Sequence, residues 1–134
     1  MTTLRHTLLL VEQQSLVRST VAAVARQMNL ACIEETSSIA AAEQRLARAR
    51  YDGLLLSMDE PVPALALLAR LRAGEFNNDP DLPVILMTSA CDAELAAQVR
   101  QHGVQRLLVK PFKLKLLLQT IEVLSQQIRD GQPA

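Results

Sequence analysis

Apolar positions along the chain fall into two alternating kinds of run. Residues 7–11 (TLLLV) read as a continuous apolar run, the mark of a strand covered on both faces. Residues 15–29 then place Val17, Val21, Val24 and Met28 at i, i+4, i+7 and i+11, one stripe of an amphipathic helix. A second, shorter strand is expected at residues 30–34 (LACIE). After it, Thr36, Ser37 and Ser38 offer capping oxygens to a helix whose inward positions are Ile39, Ala42, Leu46 and Ala49. Residues 53–56 predict a third strand. A third helix follows over residues 61–73, with proline at its start and Gly74 past its end.

Residues 76–82 (FNNDPDL) are turn material, and residues 83–88 (PVILMT) predict a fourth strand. A helix over residues 91–102 carries Asp92 and Glu94 in its first turn and ends at Gly103, which suits the macrodipole at one end and the cap at the other. Arg106–Val109 is a short fifth strand. A last helix over residues 112–129 turns Leu114, Leu117, Leu118, Ile121, Leu124 and Ile128 inward. The domain is thus expected to span residues 1–129, with residues 130–134 (DGQPA) as a tail or the start of a linker. Five βα units with short connections predict one parallel sheet with helices on both faces.

Composition narrows the function classes. At 134 residues the chain makes one domain with a real core, not two. Its 49% apolar content is aliphatic, with no Trp, one Tyr and two Phe, so no aromatic platform for stacking bases is available. Fourteen Lys and Arg balance fourteen Asp and Glu, which leaves no basic footprint for a nucleic acid. Cys32 and Cys91 show no CxxC spacing, and Cys32 in its apolar run is expected to be a reduced packing residue. His6 and His102 are expected on the surface. No apolar run approaches the roughly 18–20 residues of a membrane span, so a cytoplasmic, membrane-free protein is expected.

In an open parallel sheet the binding crevice lies beyond the carboxyl ends of the strands. The residues expected there are Glu12, Gln13 and Gln14 after strand one, Ser57, Met58 and Asp59 after strand three, Thr88 and Ser89 after strand four, and Lys110-Pro111 after strand five. Four stretches then appear in order: LLLVEQQSLVR (8–18), YDGLLLSMDEP (51–61), PVILMTSA (83–90) and GVQRLLVKPF (103–112). Together they resemble the receiver domain of two-component response regulators, the CheY-like family, over residues 8–129. The resemblance implies a (βα)5 flavodoxin-like fold, a doubly wound five-stranded parallel sheet, and a place in phosphorelay signal transduction.

It also implies a site. Receiver domains hold Mg²⁺ on an acidic pair after strand one and accept a phosphoryl group on an aspartate ending strand three. A Ser/Thr after strand four and a lysine after strand five complete the set. Hard oxygen ligands suit the metal, while metal and lysine neutralise charge on the phosphoryl oxygens. This chain keeps Thr88 and Lys110. It has Glu12 and Gln13 at the acidic pair, Ser57 at the phosphoacceptor position, and Leu107 where an aromatic switch residue often stands. A carboxylate is an anionic nucleophile at pH 7, whereas a serine needs a base, and no His lies near these strand ends in sequence. The expectation is a degenerate, non-phosphorylatable pseudo-receiver, not an enzyme, without catalytic residues or a bound cofactor. Glu12 and Asp59 are its weak Mg²⁺ candidates.

Each residue has a competing role. Ser57 could be an alternative acceptor, a relic or a hydrogen-bonding replacement, and the last two are preferred because a hydroxyl needs no metal to offset buried charge. Asp59 and Glu60 are expected to be a solvated loop pair rather than displaced acids. Lys110 could bind an anion with Thr88, but pairing with Glu12 is preferred. Leu116 and Val123 lie off the inward stripe of the last helix and, with Leu107, outline a patch for a signalling partner, an output domain or a homodimer through helix four, strand five and helix five. Two other functions stay open. One is a receiver still phosphorylated at Asp59 or Ser57 with weakened Mg²⁺ binding. The other is a flavodoxin-like small-molecule binder, which the lack of a Gly-rich loop after strand one disfavours.

Overall fold

The computed structural model describes residues 6–29, 31–90, 92–104 and 106–131. Ten elements alternate strictly: β1 (His6–Val11), α1 (Ser15–Gln27), β2 (Ala31–Thr36), α2 (Ile39–Arg48), β3 (Gly53–Ser57), α3 (Pro61–Arg72), β4 (Val84–Thr88), α4 (Ala93–Gln101), β5 (Arg106–Val109) and α5 (Leu114–Gly131). The strands form one parallel sheet in the order β2-β1-β3-β4-β5. From β1 the chain steps outward to β2 and then returns across β1 to β3. The winding direction therefore reverses between β1 and β3, and a crevice opens at their carboxyl ends.

The period-two alternation of each strand divides the core into two layers. Leu9, Val11, Leu54, Leu56, Val84 and Leu86 face α2, α3 and α4, where Leu46, Leu67, Leu68 and Leu71 meet them. Leu8, Leu10, Leu55, Ile85, Met87 and Leu108 face the other way, onto Val21 and Ala25 of α1 and Leu117, Ile121 and Leu124 of α5. A fully buried leucine is worth about 1.5–3 kcal/mol, so these two aliphatic layers supply the driving force that the scarce aromatics do not.

Several expectations are corrected. β2 runs two residues further than expected and lies at the sheet edge, where alternate side chains face solvent; Cys32 is exposed there and does not pack. His6 is buried, because β1 begins one residue early and His6 pairs in register with Ala31. α4 starts at Ala93, since Asp92 is its N-cap and accepts a 2.8 Å hydrogen bond from Leu95 N. α5 begins at Leu114 and continues through Asp130 and Gly131, which were expected in the tail. Leu114 is exposed, one turn ahead of the Leu117–Ile121–Leu124–Ile128 stripe that meets the sheet. Leu30, Cys91 and residues 132–134 of the expected tail lie outside the described residues.

The amino end of the sheet is tied by polar side chains. Within the 76–82 turn, the buried Asn78 accepts from Tyr51 N at 2.8 Å and donates to Leu46 O and Ala49 O at 2.7 and 2.8 Å, which docks the turn beneath α2. Arg72 donates to His102 O, Pro80 O and Leu82 O at 2.6, 2.7 and 2.8 Å, clamping α3 to the α4–β5 turn. Burial pulls its guanidinium pKa down from the ordinary value, opposed by Asp81 and Asp79. Gly74 and Gly103 end α3 and α4 with φ of 78° and 70°, a region that side-chain-bearing residues rarely adopt.

Candidate functional site

The crevice is assembled from the residues that leave the strands. Glu12 directly follows β1, and its backbone stays in the sheet through a 3.1 Å bond from its N–H to Thr36 O. Arg18, one turn into α1, donates to Glu12 O at 2.8 Å and fixes the loop from the outside. The Glu12 side chain is wholly buried. Its Oε2 accepts from Gln14 N at 3.2 Å, and its Oε1 meets the ammonium of Lys110.

Lys110 follows β5, anchored by a 2.7 Å bond from its N–H to Thr88 O, and the Lys110–Pro111 peptide is cis. Its side chain is only 8% exposed. Besides Glu12, Nζ donates to Ser57 Oγ at 3.2 Å and to the two Asp59 oxygens at 3.3 and 3.4 Å. One ammonium thereby joins the ends of β1, β3 and β5. With Glu12 and Asp59 against Lys110, the crevice carries one formal negative charge.

Ser57 is fully buried, and its Oγ faces Asp59 N at 3.3 Å as well as Lys110. Asp59 differs from expectation. Its carboxylate turns back into the crevice, held by Lys110 and by Gln14 Nε2 at 3.0 Å, because the neighbouring cation draws it out of solvent. Glu60 is exposed, as a loop residue. Thr88 is buried, but its hydroxyl donates to Ala90 O at 2.7 Å within its own loop rather than to Lys110. Both polar atoms of the Gln13 amide are buried and have no hydrogen-bond partner among the described residues.

Mg²⁺ takes hard oxygens, typically one or two carboxylates with waters, and the two carboxylates at this crevice are Glu12 and Asp59; no three His, Cys, Asp or Glu side chains cluster among the described residues. Ser57 and Gln13 are neutral, and both carboxylates present are engaged by an ammonium.

The expected apolar patch is only partly on the surface. Leu116 and Val123 are 47% and 39% exposed, two turns apart on α5. Leu107 is half-buried and packs against the α2–α3–α4 layer, so it is withdrawn from that patch. Sequence reasoning missed Leu16 and Val62, 78% and 79% exposed. Each stands in the first turn of the helix after β1 or β3, at the crevice end of the sheet. Their signal was present: an aliphatic two positions into a helix, ahead of the inward stripe. Tyr51 was also missed. Its hydroxyl bonds Glu34 Oε2, which Arg45 approaches at 3.4 Å, and burial followed by that bond raises the phenol to about 12.

A family model described as the response regulator receiver domain matches residues 8–122. No curated protein matches the chain. Among solved structures, a response regulator from Thermotoga maritima is 22% identical, with a TM-score of 0.79 over 92% of this chain and 99% of its own. A CheY-like receiver domain protein from Methanospirillum hungatei is 14% identical, with a TM-score of 0.81 over 96% of this chain and 100% of its own. A chemotaxis response regulator of Vibrio cholerae is 20% identical, with a TM-score of 0.78 over 90% and 99%. Identities this low establish the likeness of fold.

Proposed function

The chain belongs to the response regulator receiver domain family, and we propose that within it this member has lost the phosphoryl switch and serves as a protein–protein interaction module of two-component-type signalling. The observation that carries this is the occupancy of Ser57: its Oγ receives the Lys110 ammonium at 3.2 Å. A nucleophilic serine needs a base to take its proton, and its buried neighbour is instead a proton donor. Glu12 is committed to the same ammonium and Gln13 supplies no charge, so the neutralisation that phosphoryl transfer requires has no metal to provide it. Asp59 is no better an acceptor, with its oxygens taken by Lys110 and Gln14.

The partner is a signalling protein or an output domain, and the exposed Leu116 and Val123 of α5 are the candidate contacts, including for a homodimer. No described helix is long and apolar enough to cross a membrane. The test is incubation with a small-molecule phosphodonor and Mg²⁺, followed by intact-mass measurement. Unmodified protein is expected. A phosphoryl adduct that disappears in Ser57→Ala or Asp59→Asn would overturn the proposal and establish the alternative of a non-standard acceptor.

A further inference from the structure

The sheet has two edges, and they are protected differently. β5 has four residues, and an edge that short offers little to another strand. β2 has six and carries the exposed Cys32, so its outer rim needs another form of protection. We infer that Arg26 is an edge guard: its guanidinium covers the outer rim of β2 and keeps that strand from pairing with β2 of a second copy of this chain.

The direction of the β2 backbone comes first. Thr36 O accepts the Glu12 N–H at 3.1 Å, so Thr36 faces β1. The two-residue alternation then turns the backbone groups of Ile33 and Glu35 away from β1, toward the rim. Arg26, in the last turn of α1, reaches this rim. One of its terminal nitrogens donates to Ile33 O at 3.3 Å and to Glu35 Oε2 at 3.1 Å. Arg26 is the one side chain among the described residues that bonds an outward backbone group of β2.

The strand's own acids hold the guard in place. Glu35 is gripped by Arg26 and, at 3.8 Å, by Arg18 of the same helix. Glu34 points to the opposite face, where Arg45 of α2 lies at 3.4 Å and the Tyr51 hydroxyl bonds it. Charged side chains on an edge strand oppose edge-to-edge pairing, and here they also anchor the arginine over the carbonyl. A second copy is the partner excluded because a strand edge is complementary to itself about a two-fold axis. Such pairing requires Ile33 O to accept a bond from the other copy, and the guanidinium already occupies that oxygen.

The experiment uses Cys32 as a reporter, in a Cys91→Ser background that leaves it the one thiol. Wild type, Arg26→Ala and Arg26→Met/Glu35→Gln are compared. The double variant keeps the aliphatic stem and leaves the net charge unchanged. Each is treated with a short bis-maleimide over a range of protein concentrations, and amide hydrogen exchange is followed at Ile33 and Glu35. The wild type is expected to cross-link weakly and to exchange both amides freely. Both variants are expected to give on the order of tenfold more cross-linked dimer, the effect of one lost charge-assisted hydrogen bond. Their Ile33 and Glu35 amides should gain protection as concentration rises. Equal cross-linking in all three proteins would overturn the inference. So would association that leaves those two amides unprotected, since it would place the contact elsewhere, such as on α5. Loss of the native thermal melt in both variants would also overturn it, because a 55% exposed arginine would then hold the fold rather than guard its edge.

Discussion

Lys110 Nζ donates to Ser57 Oγ across 3.2 Å, joining the end of the last strand to the end of the central one. The pair defines what a single substitution should do. Ser57→Asp puts a third carboxylate on the ammonium and raises the formal charge of the crevice from −1 to −2. Mg²⁺ should then stabilise this variant, with a smaller shift or none expected for the wild type, and adding Gln13→Asp should enlarge the shift. Differential scanning fluorimetry with and without Mg²⁺ reads this directly. Equal responses in all three proteins would show that charge deficit is not what keeps the metal away.

Tyr51 is the only tyrosine in a chain without tryptophan, so its ionisation can be followed cleanly by ultraviolet absorbance. Burial and then the bond to Glu34 raise it to about 12, against an ordinary phenol near 10. A group whose folded pKa is raised stabilises the fold fully below its unfolded value and loses that contribution as pH rises through the folded one. Stability tied to Tyr51 should therefore decline between about pH 10 and about pH 12. Glu34→Gln should lower the titration midpoint. A wild-type midpoint at the ordinary value would refute the coupling.

Asn78 satisfies three backbone groups at once, Tyr51 N, Leu46 O and Ala49 O. Asn78→Ala strands them in a buried site and should cost about 2–4 kcal/mol in urea unfolding. Asn78→Asp keeps the acceptor but turns an anion toward two carbonyls, so it should be at least as damaging. A smaller loss for Asp than for Ala would mean that the turn relaxes to let water in.

Gly53 is required by space rather than by backbone angle. A Cβ there would sit 2.8 Å from Leu8 Cδ2 and 3.3 Å from Leu124 Cδ2, between β1 and α5. Gly53→Ala should destabilise by about 1–3 kcal/mol through overpacking. Leu8→Val removes the clashing methyl, so the double variant should be more stable than the sum of the single losses predicts. Simple additivity in denaturant titrations would contradict this geometry.

Leu116→Lys and Val123→Lys alter exposed positions and should each change stability by less than about 0.5 kcal/mol. If α5 is the contact face, sedimentation velocity should show self-association or partner binding weakened by either substitution. Unchanged association would direct attention to Leu16 and Val62 at the other exposed edge.

Much of the architecture was legible because it is written in aliphatic periodicity. β1, β3 and β4 lie inside the sheet, and LLLV, LLL and VILM admit few other placements. The site residues Glu12, Ser57, Thr88 and Lys110 followed from the rule that open sheets work at their carboxyl ends. What pattern could not show was direction. Asp59 and Glu60 are adjacent acids in one loop, yet only Asp59 turns inward, and the cause is a lysine 51 residues away. Cys32 and His6 were misjudged for a related reason: burial at a strand's edge or first residue depends on which neighbour it pairs with, and that is fixed by strand order. Asn78 looked like an ordinary turn residue because its three partners lie 27 to 32 residues upstream.

The order in which the crevice is completed has a consequence for synthesis. Glu12 emerges from the ribosome early, and its counter-charge is carried by the residue that follows the last strand, 98 residues later. Until β5 docks, a nascent chain that has paired β1 with β3 must leave that carboxylate hydrated or protonated. Fragments ending before Lys110 lack both that counter-charge and the α5 side of the second aliphatic layer, so they should be poorly folded, and premature termination upstream of β5 should yield a species that proteases clear.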